Sequence, residues 1–277
     1  MQKRMLSAWE LALLRRKSAL LAYDFDDSVW TEQNDPKPLD CGQHKRRFLR
    51  TCRSADVVIA GNAFLAAAVP YGIPVTIAPT PIDVERYVPA PDKIPPGPVI
   101  GWMGTASYLP LLHSILDELQ RAPDHLSLHI VSNQEPLRIA CGHYTFTRWS
   151  PENELPLLQH FDIGLMPLED TPYSSGKGGF KILQYMACGV VPIASAVGVN
   201  KEIISHGIDG FLVQPGEPWL PYIRQLHNLD ILKTMSCAAR NTVCERFAVR
   251  IHAASLFLYL SSRYREFGPS RERFMAW

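Results

Sequence analysis

The stretch of this chain best equipped for chemistry is Ser174-Ser175-Gly176-Lys177-Gly178-Gly179-Phe180-Lys181-Ile182-Leu183-Gln184-Tyr185-Met186-Ala187. Glycines at 176, 178 and 179 let a backbone approach a ligand closely. The unpaired N–H groups at the start of the helix that follows attract an anion. Lys177, Lys181 and Gln184 fall at i, i+4 and i+7, on one face of a continuous helix, with Ile182, Leu183 and Met186 turned to the core on the other. Two cations and an amide at a glycine-rich helix start suit a diphosphate with a hydroxylated sugar beside it. The plainer alternative is a solvated lysine face next to a flexible loop.

Two further glycine turns support the first reading. Gly101-Trp102-Met103-Gly104-Thr105-Ala106-Ser107 follows one expected strand and precedes a helix, and Ala196-Val197-Gly198-Val199-Asn200 joins another strand to a helix near Lys201. The full dinucleotide pattern G-x-G-x-x-G is absent. Together the three turns are expected to converge on one sheet edge and outline a nucleotide-sugar cleft, because open parallel sheets bind ligands outside the carboxyl ends of their strands. Asp24-x-Asp26-Asp27 offers hard oxygen ligands for Mg²⁺ or Mn²⁺, or else a carboxylate cluster that caps a helix or lines a cleft. Cys41-x-x-His44 with Cys52 is the one metal-like grouping, and ordinary loop and helix residues are its plainer reading. The six cysteines form no C-x-x-C pair and fit reduced thiols in a cytoplasmic protein.

These residues need elements to hold them. From residue 98 on, short apolar runs alternate with amphipathic segments: strands at Val99–Trp102, Leu126–Val131, Tyr144–Trp149, Ile163–Met166 and Val190–Ala194, with helices at Leu109–Leu119, Glu152–His160 and Phe180–Ala187. Repeated strand–helix units with near-continuous apolar strands imply a parallel sheet covered on both faces. The amino part repeats the theme in shortened form, with strands at Leu20–Tyr23, Ala55–Ala60 and Val75–Ile77 and helices at Arg46–Arg53 and Asn62–Ala68. The expected division is 1–88, a Pro-rich linker 89–98, 99–246, and a C-terminal helix and tail 247–277 that packs back toward the amino part, within a segment helical over 217–264.

Composition sets outer limits. At 277 residues, 47% hydrophobic and 20% charged, the chain has material for about two folded domains. Net charge is +1, which excludes a general nucleic-acid binder while leaving room for a local phosphate site. The uncharged stretch Val57–Ile82 is broken by Gly61, Pro70, Gly72, Pro74, Pro79 and Pro81 and does not read as a membrane span. Arg15, Arg16 and Lys17 interrupt the apolar start, so it does not read as a secretion signal. The amphipathic start Met1–Lys17 either lies on a membrane surface or is one helix of a domain, the latter being the more economical reading.

Gly176–Ala194, Gly198–Ile204 and His206–Leu212 resemble family 4 glycosyltransferases, retaining enzymes of the two-domain GT-B fold; Ala55–Asn62 and Pro79–Asp83 resemble the end of that family's acceptor-side domain. The resemblance implies an α/β, GT-B-like architecture: a complete C-terminal doubly wound Rossmann-like domain plus a partial N-terminal Rossmann-like domain. It places Gln184 at the second glutamate of the family's E-x7-E motif, which holds the donor ribose, and Gly176 at the first, without a carboxylate. Thr105, Ala106 and Ser107 stand where many members carry Arg and Lys, so Lys177 and Lys181 take over the diphosphate. Trp149, Ser150 and Glu154 fall in the nucleotide-base region; Gly104, Gly178, Gly179, Gly198, Val199 and Asn200 complete the donor side, and Asp26 and Asp27 the acceptor side.

The implied activity is transfer of a sugar from a nucleotide-diphosphate donor to a glycan or lipid-linked acceptor, with retention, without a covalent nucleophile, cofactor or divalent metal. Cell-envelope polysaccharide synthesis at the cytoplasmic face of a membrane follows as its setting. The first strands of the family's acceptor domain are missing here, implying an internal start or a truncated paralogue; a truncated paralogue would be a catalytically incomplete nucleotide-sugar-binding module. A nucleotide-sugar epimerase on the same fold is a third reading.

Overall fold

The computed structural model describes residues 1–31, 42–91, 98–121, 126–135 and 143–275. Cys41 of the metal-like grouping and residues 92–97 of the expected linker lie outside the described residues. The chain forms two units: residues 1–80, 171–178 and 249–277, and residues 81–170 and 179–248.

In the first unit, β1 (Ala22–Phe25), β2 (Val57–Ala60) and β3 (Val75–Ile77) form a parallel sheet in that order. The central strand, Val-Val-Ile-Ala, is buried at every position, as a strand covered on both faces requires. Tyr23, Phe25, Trp30 and Phe48 fill the core, with Phe25 and Phe48 edge to face at 5.2 Å and Trp30 and Phe48 at 4.3 Å. Asp56 is buried just before β2. Its carboxylate accepts from the Arg15 guanidinium at 2.5 and 2.8 Å and from the Leu21 N–H at 2.8 Å, so the charge is both paired and hydrogen-bonded. Arg15 thereby fastens helix Ala8–Lys17, which opens with Glu10 accepting from the Ser7 N–H and hydroxyl.

The second unit holds β4 (Ile100–Met103), β5 (Ser127–Ser132), β6 (His143–Arg148), β7 (Ile163–Met166), β8 (Val191–Ser195) and β9 (Phe211–Val213), all parallel in the order β6-β5-β4-β7-β8-β9. The order reverses between β4 and β7, the switch point at which doubly wound sheets hold ligands. One face is covered by a cluster including Ile115, Leu116, Leu119 and Ile223, the other by Phe161, Ile182, Tyr185 and Met186. Glycine is required where rings lie flat on the sheet: a Cβ at Gly101 would overlap the Phe161 ring, and one at Gly164 would stand 2.6 Å from Tyr185. Tyr185 then reaches across the sheet, its hydroxyl accepting from Met103 N–H at 3.0 Å and donating to the Leu165 carbonyl at 3.4 Å.

Three features depart from expectation. The helix after β4 is a 3-10 segment, Ala106–Leu112, containing Pro110, followed by an α-helix from His113 to Arg121; a proline within the run removes an α-helical hydrogen bond. The first division falls between Thr80 and Pro81 rather than at 89–98. Residues 82–87 are tied to the second unit, where Ile82 N–H donates to the Phe247 carbonyl at 2.9 Å and Arg240 donates to the carbonyls of Val84 and Tyr87. Residues 171–178 group with the first unit rather than with the domain that surrounds them in sequence. The carboxyl segment comprises helices Leu220–Gln225, Leu229–Arg246 and Val249–Met275, the last belonging to the first unit.

Candidate functional site

Adjacency of β4, β7 and β8 brings three turns to one carboxyl edge of the second unit. After β4, the Gly104 N–H donates to the Val131 carbonyl at 3.0 Å and the Ala106 N–H to the Asn133 side chain at 2.9 Å. A Cβ at Gly104 would overlap the Trp102 indole. The exposed hydroxyls of Thr105 and Ser107 lie 3.0 Å apart. After β8, Gly198 takes a left-handed φ of +51°, Val199 is buried, and the Asn200 amide donates to the Ser195 carbonyl at 2.9 Å, closing its own turn.

Helix Phe180–Ala187 starts on Gly179, at φ +69°, and no side chain caps it. A Cβ there would overlap Ile203 and press on Val199, so the helix start and the turn after β8 meet directly, as the sequence leads one to expect. Lys181 stands in the first turn, half-buried, its ammonium donating to the Gln184 carbonyl oxygen at 3.2 Å. Burial draws its pKa down to about 8, against the opposing pull of the Glu154 carboxylate.

Glu154 is the hub of this edge. Its Oε1 accepts from the Tyr87 hydroxyl at 2.8 Å and from the Gln184 amide at 3.1 Å; its Oε2 accepts from the Trp149 indole N–H at 3.1 Å. The Gln184 amide also donates to the Tyr87 oxygen at 3.1 Å. Burial raises the Tyr87 pKa, and its bond to Glu154 raises it further. Ser150 and Asn153 bond each other reciprocally, forming the turn that starts helix Glu154–His160.

Two expectations need correction. Gln184 is only 1% exposed and both ends of its amide are engaged by protein, so it does not stand on a face opposite the core; it sits on the core side of its helix with Ile182 and Met186. Lys177 is not helical and shares no face with Lys181. It lies in the segment 171–178, which belongs to the first unit, with its ammonium 5.1 Å above the Tyr173 ring. That segment is held by protein. Asn62 donates to the Lys177 carbonyl at 3.3 Å, a Cβ at Gly176 would overlap Ser28, and one at Gly178 would overlap Thr80. At Gly176 and Gly178 the chain itself comes too close for a side chain. In the same unit Asp26 and Asp27 follow β1, and the Lys3 ammonium lies 2.6 and 2.8 Å from them. Burial works against charge on Lys3, but bonds and attraction from the two carboxylates outweigh it and raise its pKa. Among the described residues no group of His, Cys, Asp and Glu is arranged to hold a metal ion.

Sequence reasoning missed Tyr87, Asn133 and Arg240. The Arg240 guanidinium donates to the carbonyls of Tyr87 at 2.6 Å, Val84 at 2.7 Å and Ala187 at 2.7 Å, strapping the turn around Val84 and Tyr87 to the carboxyl end of helix Phe180–Ala187. Its signal was available: an arginine one residue from Ala239 on the buried side of an amphipathic helix needs acceptors.

A family model described as "Glycosyl transferases group 1" matches residues 97–227. Among solved structures, the chain is similar to sucrose-phosphate synthase from Thermosynechococcus elongatus, with a TM-score of 0.75 and 18% identity over 95% of this chain and 72% of that one. It is similar to Anabaena HepE in complex with UDP-glucose, at 0.71 and 18%, over 92% and 81% of the two chains. It is also similar to a glycosyltransferase from Rickettsia africae, at 0.61 and 13%, over 94% and 79%. A sequence comparison with the curated proteins finds no match. The fold is thus the α/β, parallel-sheet fold of GT-B glycosyltransferases.

Proposed function

We propose that the chain moves a sugar from a nucleotide-diphosphate donor to a glycan or lipid-linked acceptor hydroxyl with retention of configuration, and that the donor binds at the carboxyl edge of the six-stranded sheet. One observation carries the reading: helix Phe180–Ala187 starts on a left-handed glycine with no side-chain cap, and a half-buried, charge-strained lysine stands in its first turn. Backbone N–H groups and the helix dipole at such a start favour an anion. A lysine that loses its proton near pH 8 without a ligand regains it against a diphosphate. Thr105, Ser107 and the Gly198 turn border the same edge. Trp149 offers a partly exposed indole, held by Glu154, against which a base can stack. Glu154 accepts three protein bonds and a carboxylate has roughly four acceptor positions. That leaves it able to take a ribose hydroxyl, with Gln184 positioning both Glu154 and Lys181.

In the reaction the bond from the anomeric carbon to the diphosphate oxygen breaks, a bond from the acceptor oxygen forms on the same face, and the acceptor proton passes to the departing diphosphate. Negative charge grows on that oxygen. The Lys181 ammonium and the N–H groups of Gly179 and Phe180 stabilise it, an electrostatic contribution realised mainly in the transition state. The neighbour HepE was solved with UDP-glucose, which accords with a UDP donor here.

The test is proton NMR of the full chain with UDP- and GDP-sugars and simple glycan acceptors. Release of nucleoside diphosphate with a product of the donor's anomeric configuration is expected. An inverted product overturns retention. Donor binding without release identifies a binding module, and interconversion of the donor sugar without acceptor identifies an epimerase.

A further inference from the structure

Strands β4 and β7 are neighbours at the switch point, yet they part before they end. Among the described residues their register pairs Ile100 with Ile163 and Gly101 with Gly164 and goes no further, although β4 runs to Met103 and β7 to Met166. The Val99 carbonyl accepts from the Ile163 N–H at 3.1 Å. Carried on along an evenly spaced parallel ladder, that pattern would join the Met103 N–H to the Leu165 carbonyl. The Tyr185 hydroxyl stands between these two groups instead, accepting from the Met103 N–H at 3.0 Å and donating to the Leu165 carbonyl at 3.4 Å. A direct bond would span about 2.9 Å. Beyond this point each strand follows its other neighbour. Met103 pairs with Val131, and the Gly104 N–H donates to the Val131 carbonyl. Met166 pairs with Ala194, and the Leu168 N–H donates to the Ser195 hydroxyl at 2.9 Å.

Tyr185 is fully buried, and Gly164 leaves its ring the room to lie on the sheet. Burial raises its pKa, so the hydroxyl keeps the proton that it donates. The residue belongs to helix Phe180–Ala187, about one turn after Lys181. One hydroxyl therefore fixes both the gap between the carboxyl ends of β4 and β7 and the seat of this helix against that gap.

We propose that Tyr185 is a positioning residue for the donor: its hydroxyl wedges β4 from β7 and holds open the crevice that the sugar diphosphate enters. The inference rests on the donor site proposed above, since ligands of doubly wound sheets occupy the crevice at the switch point. Without the hydroxyl, the buried Met103 N–H and Leu165 carbonyl lose their partner and are driven to bond each other, which closes the gap.

Calorimetry with UDP tests this. Tyr185→Phe keeps the ring over Gly164 and removes the wedge. Its UDP dissociation constant is expected to rise at least about tenfold at temperatures where circular dichroism shows it folded, the cost of misplaced binding groups. Ile115→Val, in the core that covers the sheet's other face, is the control: it lowers the thermal midpoint through lost packing and leaves UDP affinity unchanged. The wild type gives a reading that needs no variant to fold: UDP is expected to shift the NMR resonance of the Met103 amide. A folded Tyr185→Phe variant with wild-type affinity overturns the proposal. So does an unmoved Met103 resonance in wild type saturated with UDP, or an equal loss of affinity in Ile115→Val. A wild type that binds no nucleotide overturns the donor site itself, so the two failures are told apart.

Discussion

Burial and charge oppose each other at Lys181, and the opposition has a sign that solution measurements can read. The folded chain holds the Lys181 pKa at about 8 against an ordinary 10.5. Between those values the unfolded chain binds more protons than the folded one, so Lys181 lowers stability below pH 8 and this penalty fades as pH rises toward 10.5. Lys181→Met is therefore expected to leave the thermal midpoint at pH 7 no lower than wild type while weakening nucleoside-diphosphate affinity. In the wild type a bound diphosphate raises the lysine's pKa, so affinity should be constant below pH 8 and fall by about tenfold per pH unit above it. Calorimetry from pH 6.5 to 9.5, bounds chosen around roughly that pKa, checks this; a Lys181→Met variant with the same affinity and the same pH dependence contradicts it. Residue type and spacing point to Lys181, and Glu154 enters only through the family resemblance. They could not assign Gln184, because its partners Tyr87 and Glu154 lie 97 and 30 residues away in sequence and only the fold makes them neighbours.

Elements carried by local patterns were legible. The apolar β-branched runs of β4, β7 and β8 and the helix ended by Gly189 lie where sequence places them, because a strand buried on both faces leaves a nearly unbroken apolar run. Less legible were the reasons for individual glycines. Gly176 and Gly178 look like a ligand loop in one dimension, yet Ser28 and Thr80 close on them. Gly101 looks like the start of a phosphate turn, yet it makes room for Phe161. Gly101→Ala is accordingly expected to destabilise the chain by about 3 kcal/mol, the range of an overpacked core, with thermal unfolding as the readout. A midpoint within error of wild type would mean that Phe161 can move aside. The short β9 and the 3-10 segment Ala106–Leu112 escaped sequence reading for a shared reason: their form is fixed by neighbours, β8 for the one and Pro110 with the Asn133 side chain for the other.

For the whole molecule, fold class followed from the rhythm of strands and helices, whereas the division into units did not. Arg240 binding the Val84 and Tyr87 carbonyls and Asn62 binding the Lys177 carbonyl are long-range contacts that no composition shift announces, and they set which residues belong to which unit. The split of a net +1 into +7 and −6 emerges only after that assignment. The second unit carries the proposed donor site. The donor task rests on the uncapped helix start beside Lys181. Diffraction from crystals of the full chain soaked with UDP or GDP examines it most directly. The expected result is diphosphate density on the N–H groups of Gly179 and Phe180, within reach of the Lys181 ammonium. Clear nucleotide density at another place, with none at this helix start, would contradict it.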